Sequence, residues 1–373
     1  MKNSYFLSIS LIPYFLATTF FLYLYDLDNV SILFTLFFVL IFCLFPVIFA
    51  TNFKIDYEKK SKVNPIILLI AISLPIIILL YERYNFGFEI TLNPILMRDQ
   101  MLQRQEIGAA GSFLSITGNL LKIPAYVLIF DYILFRKDKN FFLNIMVSIF
   151  FLFEFWISAS RTLIILFVAL FWGLYGFKKF NFGNTLFLFV LASLMIGVFL
   201  LRSLRSDIII DFYVLNTLDH LQLEYSDKFL GNFGFIEGLL ILTFGYIFHS
   251  IQTFHNALFL LETPGISIGP YRHLMNVLTY QSDNFVYPGL FMTEPGNIYY
   301  DAGFVGLFTI FIIKILMFAF VSRSNNFLAK FVMLFLFINA LIGILAPLYN
   351  ILYFYLVFLA LFICFIWRRN WIS

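Results

Sequence analysis

The side chains best suited to chemistry in this chain are arginines that stand between long apolar runs. Arg202 and Arg205 are three residues apart, so one turn of helix would project both from the same face. A guanidinium group donates two parallel hydrogen bonds to a phosphate, which makes it a better phosphate partner than a lysine ammonium. The pair therefore predicts a site for the two phosphates of a pyrophosphate group.

Other arginines lie in connections that the distribution of lysines predicts on the same side of a membrane as Arg202 and Arg205. They are Arg83, Arg98, Arg104 and Arg272, and the same connections contain a single lysine, Lys228. Arg161 follows Ser158-Ala159-Ser160 in a tight turn, where a charge needs a wet cavity or a partner. Contact with lipid head groups is the alternative role of each arginine taken singly. As a set they favour an anionic ligand that carries phosphate.

Two side chains are candidates for accepting a proton, Asp301 and His255. Asp301 follows Tyr300 and opens a predicted helix. A carboxylate there can cap the helix or accept a proton from a sugar hydroxyl, with Tyr300 beside it to hold the sugar. His255 is the preferred histidine because it flanks a polar stripe, and histidine titrates near neutrality. The histidines match no metal-site spacing, so no metal is predicted; they are His220, His249, His255 and His273.

The elements that must position these residues are membrane helices. Of 373 residues, 62% are hydrophobic and 12% charged, whereas soluble domains are about a quarter charged. A helix needs about 17 to 25 apolar residues to span a bilayer. The pattern predicts about ten spans, which are Tyr5 to Tyr25, Val30 to Ala50, Asn64 to Tyr81, Ala109 to Phe135, Phe141 to Ala159, Thr162 to Phe177, Thr185 to Leu201, Tyr300 to Val321, Phe331 to Ala346 and Ile351 to Trp367.

The lysines set the predicted orientation of these spans. They concentrate in alternate connections, which all face the cytoplasm if Lys2 starts there, and both termini are then cytoplasmic. We expect a single membrane domain over residues 1–373, with one large periplasmic loop over residues 202–299 before the eighth span. The apolar stretch 231–261 is predicted as an interfacial or re-entrant helix that does not cross, or as two half-length helices. Its polar stripe consists of His249, Gln252 and Asn256.

Three charges fall inside predicted spans. Lys122 and Glu154 each lie about thirteen residues, or about 20 Å, from the turn that joins the fourth and fifth spans. They are therefore predicted at one depth, where they can neutralise each other. Lys314 is nearer the cytoplasmic end of its span, and its side chain is predicted to reach the surface.

Taken in order, these elements resemble the O-antigen polymerases, the Wzy-type polymerases of oligosaccharide repeat units. The resemblance rests on Ser160-Arg161-Thr162 at the outer tip of a hairpin, on the late outer loop 202–299, and on Tyr300-Asp301 followed by Gly303 and Gly306. It covers most of the chain by topology and only these stretches by residues. An all-α polytopic protein of a bacterial inner membrane, with its active site facing the periplasm, is the implied architecture.

The resemblance also implies an activity, the joining of repeat units carried on undecaprenyl pyrophosphate, without metal, cofactor or nucleotide sugar. Asp301 or His255 would accept the proton of the attacking hydroxyl. The groups expected to stabilise the departing pyrophosphate are Arg161, Arg202 and Arg205. Those expected to contact the second carrier or the sugars are Arg98, Arg104, Arg272 and Tyr300. The implied partners are the lipid-linked oligosaccharide, membrane lipid and a regulator of chain length, with no nucleic acid.

Two other functions fit parts of the sequence. An O-antigen ligase, which moves finished glycan onto lipid A core, is the closest alternative, because His255-Asn256 resembles the His-Asn pair of that group. A transporter or flippase of polysaccharide precursors is the alternative from another class. Transporters commonly have an internal repeat with interrupted helices in both halves, and the sequence has no such symmetry.

Overall fold

The computed structural model describes residues 29–50, 63–89, 112–135, 141–158, 166–171, 248–255, 293–324, 327–344 and 352–370, and the single positions 11, 15, 18, 19, 100, 103, 258 and 259. Within these residues the regular structure is helical and no strand occurs. The helices are α1 (Asn29–Leu44), α2 (Pro65–Asn85), α3 (Phe113–Phe135), α4 (Phe141–Ser158), α5 (Glu294–Val321), α6 (Phe327–Ile342) and α7 (Leu352–Asn370). They belong to two compact units.

The first unit contains α1, a 3-10 helix over Phe45–Phe49 that continues it, α5, α6 and the helical stretches 166–171 and 248–255. Aromatic rings form its core. Phe42 stacks on Phe311 of α5 with ring centroids 5.7 Å apart, and Phe38 meets Phe254 at 6.1 Å. α1 therefore packs against both α5 and the stretch 248–255.

The second unit contains α2, α3, α4 and α7, with α2 and α7 packed along α3. Asn64 caps α2 by accepting a hydrogen bond from the backbone N–H of Ile66 at 2.9 Å, and Pro65 occupies the first turn. A proline is tolerated at this first helical position because a backbone N–H there would have no partner within the helix. Tyr126 of α3 and Phe150 of α4 meet edge to face, with ring centroids 5.4 Å apart.

The helices are those of a membrane protein. Four in the described residues are long and apolar enough to cross a bilayer: Val30–Phe49, Pro65–Asn85, Phe113–Phe135 and Ala302–Val321. Large apolar side chains also point outward, including Phe34 at 61% exposed and Phe308 at 65%, which suits contact with lipid. Three predicted spans correspond to shorter apolar helices: Phe141–Glu154, Leu328–Ile342 and Phe354–Trp367.

The remaining predicted spans fall mainly on residues that the structure does not describe. The spans 5–25 and 185–201 are of this kind, apart from single positions, and the span 162–177 is described only at residues 166–171. The count of ten spans and the orientation therefore stay predictions, as does the division into one domain with a loop at 202–299.

α5 is interrupted at Gly303, where φ is 60° and ψ is −159°. This region of backbone conformation is open essentially only to glycine, because a Cβ atom would be strained there. The interruption divides α5 into residues 294–302, which we call the half-helix, and residues 304–321. Gly303 thus gives the chain a change of direction that a continuous helix cannot make.

Candidate functional site

Most of the predicted phosphate-binding arginines lie outside the described residues. They are Arg98, Arg104, Arg161, Arg202, Arg205 and Arg272. Arg83 is described, and it lies in the last turn of α2 with only 5% of its surface exposed, whereas the adjacent Tyr84 is 76% exposed. The phosphate site therefore stays a prediction.

The predicted span Tyr300 to Val321 agrees with the candidate membrane span Ala302–Val321, but α5 begins earlier, at Glu294. Its N-cap is Thr293, whose hydroxyl accepts a hydrogen bond from Gly296 N at 3.2 Å. Pro295 stands in the first turn, as expected near a helix start. Tyr300 and Asp301 consequently lie inside α5, in the half-helix just before Gly303.

His255 ends the helical stretch 248–255, and its Nδ1 atom lies 3.1 Å from the hydroxyl of Thr35 on α1. The same hydroxyl donates to the carbonyl of Ser31 at 3.1 Å. A threonine hydroxyl has one proton, so both bonds form together only if His255 Nδ1 is the donor. A neutral imidazole in this tautomer has Nε2 as its basic nitrogen, which is the form a general base requires.

The stretch 248–255 is buried on almost all sides, which does not fit the predicted interfacial helix with one solvated face. His249 is 2% exposed and Gln252 7%, so these two members of the predicted polar stripe face protein, and the third, Asn256, lies outside the described residues. Ser250 donates to the carbonyl of Ile344 at 3.2 Å, and this bond ties the stretch to the end of α6. Amphipathic spacing could not distinguish a face toward water from one toward buried polar partners.

The segments that carry His255 and Asp301 meet in the first unit. Phe254 and Tyr299 are in edge-to-face contact, with ring centroids 6.2 Å apart. Tyr299 also contacts Phe304 on the far side of Gly303, at 5.0 Å. The end of the stretch 248–255 therefore packs against the end of the half-helix, where Tyr300 and Asp301 are found.

A buried polar cluster that the sequence pattern did not predict stands at the start of the half-helix. Glu294 Oε2 lies 2.5 Å from Lys314 Nζ, and Glu294 Oε1 accepts a hydrogen bond from Asn339 Nδ2 at 2.8 Å. Lys314 is 4% exposed, so the prediction that its side chain reaches the surface is wrong. Lys314 is buried because the carboxylate of Glu294 neutralises its charge. The sequence pattern places Glu294 in the outer loop 202–299.

The surroundings of this cluster are tightly closed. Glu294 N donates to the carbonyl of Gly343 at 2.6 Å, and the Cys43 thiol donates weakly to Glu294 Oε2 at 3.9 Å. Lys314 Nζ stands over the ring of Phe42, 4.8 Å from its centroid, in a cation–π contact. Three groups from three helices thus converge on one carboxylate: Lys314, Asn339 and Cys43.

A second buried ion pair lies in the second unit, and this one was predicted. Lys122 Nζ is 2.9 Å from Glu154 Oε1, and each side chain is 1% exposed. Tyr126 donates to the other carboxylate oxygen at 3.2 Å. The expectation that the two charges share one depth and neutralise each other is confirmed.

A sequence signal for the missed cluster does exist. Thr293-Glu294-Pro295 has the form of a helix start, with a capping residue, an acidic first turn and an early proline. A helix that starts there would include Glu294 in the membrane-inserted part of the chain. That carboxylate would then have been a candidate partner for Lys314.

The described residues contain no group of three or more His, Cys, Asp or Glu side chains that could hold a metal ion. Comparison with family models, with curated proteins and with solved structures gives no match to this chain.

Proposed function

We propose that the chain is a membrane glycosyltransferase that polymerises oligosaccharide repeat units carried on undecaprenyl pyrophosphate, at the periplasmic face of a bacterial inner membrane. The observation that carries the proposal is the contact between Phe254 and Tyr299. It brings the segment of His255 beside the segment of Tyr300 and Asp301, and these are the residues expected to handle the acceptor hydroxyl. The sequence supplies the other half of the site, a set of outer arginines suited to pyrophosphate.

In the proposed reaction, the hydroxyl at the non-reducing end of a lipid-linked unit attacks the anomeric carbon of the growing chain. The bond between this carbon and the pyrophosphate oxygen breaks, and the oxygen leaves with the electron pair. The proton of the hydroxyl passes to His255 Nε2 or to the carboxylate of Asp301. The negative charge that develops on the pyrophosphate is stabilised by Arg161, Arg202 and Arg205.

Substrate binding in this scheme falls to the remaining outer side chains. Arg98, Arg104 and Arg272 contact the second carrier or the sugars, and Tyr300 holds a sugar ring. The contact of His255 with Thr35 supports the scheme, because Nε2 is the basic nitrogen when Nδ1 donates to the Thr35 hydroxyl. The burial of the stretch 248–255 also supports it, since a base on a rigid element keeps its geometry.

The test is substitution of the three proposed catalytic residues, as Arg161→Ala, Asp301→Asn and His255→Ala. Polymer ladders are measured together with the abundance of the protein in membranes. We expect polymerisation to fall by about 100-fold or more at normal abundance. Arg323→Ala is the control, because Arg323 is exposed at the end of α5 predicted to face the cytoplasm. Normal ladders in all three variants would overturn the proposal.

Gene deletion distinguishes this activity from that of a ligase. Without a polymerase, the lipid A core still receives a single repeat unit. Without a ligase, the core stays bare. We expect the single-unit product, and a bare core would favour the ligase.

Transport is a second candidate, and the interruption of α5 favours it. Transporters commonly place broken helices and polar side chains near the middle of the bilayer. Here the helix is broken at Gly303, and the half-helix begins at a buried ion pair. Proteoliposomes supplied with lipid-linked units on the outer side alone separate the two functions. Elongation without an energy source supports the polymerase, whereas movement of the units across the bilayer without elongation supports transport.

A further inference from the structure

The cluster at Glu294 reports how α5 is folded. Glu294 and Lys314 are 20 residues apart in one helix, which corresponds to about 30 Å if the helix is straight. Their side chains nevertheless meet in an ion pair. The chain therefore doubles back between them, and Gly303 is the residue whose dihedral angles permit it. The ion pair joins the two ends of this reversal.

α6 completes the hold on Glu294. Asn339 donates to one carboxylate oxygen, and the carbonyl of Gly343 accepts from the backbone N–H of Glu294. A Cβ atom at Gly343 would stand 2.7 Å from Glu294 Oε2 and 3.2 Å from Glu294 Cβ. The absence of a side chain at Gly343 is thus what admits the carboxylate to this place.

The charges of Glu294 and Lys314 make their contact energetically costly to separate. A buried carboxylate that loses its ammonium partner is left uncompensated in a medium of low dielectric constant. Any movement of the half-helix that separates Glu294 from Lys314 incurs this penalty. An apolar contact of the same size could shift without this electrostatic penalty.

We propose that the Glu294–Lys314 ion pair is a positioning device, which holds the half-helix against the rest of α5 and so keeps Tyr300 and Asp301 beside His255. The ion pair holds one end of the half-helix, and the contact of Tyr299 with Phe254 holds the other. The catalytic consequence rests on the proposed function, whereas the positional consequence does not. Glu294 and Lys314 are positioning residues and do not touch the substrate.

The experiment measures the position of the half-helix directly. It uses the full chain in lipid nanodiscs, with Cys43→Ala and Cys364→Ala to remove the native thiols. Phe254→Cys and Tyr299→Cys then provide two thiols at residues whose rings are now 6.2 Å apart. A short bifunctional methanethiosulfonate reagent reports whether these residues stay adjacent.

Three sets of changes are compared in this background. Lys314→Met removes the ammonium, and the exchanged pair Glu294→Lys with Lys314→Glu keeps both charges. Lys122→Met is the matched control, since it breaks the equally buried pair of the second unit. We expect Lys314→Met to lower cross-linking by about fivefold or more, the exchanged pair to restore at least about half, and Lys122→Met to leave it unchanged.

Unchanged cross-linking in Lys314→Met would overturn the positioning device. If this variant does not accumulate, Gly343→Ala displaces Glu294 without altering any charge, and unchanged cross-linking there is equally decisive. The readout does not depend on enzymatic activity. Lost cross-linking with normal polymer ladders would leave the device standing and count against the proposed site. Lost cross-linking with a lower kcat and a nearly unchanged KM for the lipid-linked unit supports both.

Discussion

Among the described residues, each unit of the molecule has a buried lysine–glutamate pair, and the two pairs join different kinds of structure. Lys122 and Glu154 belong to consecutive helices, at equal distances from the turn between them. Glu294 and Lys314 belong to a single helix and meet only because α5 reverses at Gly303. The first pair fixes the packing of α3 on α4. The second fixes a change of direction within one element.

The comparison shows that neutralisation and position are separate contributions of a buried pair. Both glutamates receive one ammonium and a neutral donor, Tyr126 for Glu154 and Asn339 for Glu294, and Glu294 also receives the weak donor Cys43. Their electrostatic requirements are therefore met in the same way. They differ in what a rupture would release, which is a helix–helix contact in one case and the half-helix in the other.

The largest expected effect comes from removing the lysine of either pair. Lys122→Met and Lys314→Met should each lower the free energy of unfolding by about 3–5 kcal/mol, because each leaves an unpaired buried carboxylate. The measurement is the midpoint of unfolding in mixed micelles. Similar losses in the two variants would agree with equal electrostatic roles, and a loss below about 1 kcal/mol in either would contradict them.

The reversal itself is tested by alanine at Gly303. A Cβ there meets no atom within 4 Å, so the expected cost, about 1–3 kcal/mol, is that of the backbone conformation alone. Gly87→Ala is the control, because Gly87 also has a positive φ, 73°, and equally open surroundings. It should lose about 1 kcal/mol of stability and keep the Phe254–Tyr299 cross-link. Retention of this cross-link in Gly303→Ala would contradict our account of α5.

A smaller effect is expected from the neutral donors. Tyr126→Phe and Asn339→Leu each remove one hydrogen bond to a charged oxygen, which should cost about 1–3 kcal/mol of unfolding free energy. Asn339→Leu should also reduce the cross-link of the half-helix, whereas Tyr126→Phe should not. A reduction in both would mean that the two pairs are coupled, in which case additivity of the two variants would also fail.

The smallest effect on stability is expected at Thr35. Thr35→Val removes the hydrogen-bond partner of His255 Nδ1 and should cost about 1 kcal/mol. Under the proposed function, polymerisation should fall by about tenfold or more, because the imidazole loses its fixed orientation. Thr309→Val is the control, since its hydroxyl bonds only to a carbonyl within its own helix in an exposed position. Equal activity of the two variants would argue against His255 as the base.

The sequence predicted those parts of the structure that depend on counting residues along straight helices. The apolar spans near Val30, Asn64 and Ala109 follow from length and composition, and the Lys122–Glu154 pair follows from equal distances to a turn. The partner of Lys314 could not be found in this way, because counting assumes that a helix continues in one direction. A glycine permits a reversal without requiring it, so Gly303 alone did not indicate where the chain turns.

At the candidate site, too, some features follow from local sequence and others depend on tertiary packing. The polar face of the stretch 248–255 is visible in its periodicity, but the partners that bury it come from α1 and α6, far away in sequence. The contact of Phe254 with Tyr299 likewise depends on tertiary packing. Residue types therefore indicated which chemistry to expect, and packing determined which of those residues are neighbours.

The way α5 begins has a consequence for how the chain is made. A helix start buried away from water must satisfy its first N–H groups within the protein. Here Glu294 N uses the carbonyl of Gly343, Pro295 has no N–H, and Gly296 N uses the Thr293 hydroxyl. Both Gly343 and Asn339, which lies 45 residues beyond Glu294, must leave the ribosome before this start is complete. The half-helix can therefore settle only after α6 has been synthesised and inserted beside it.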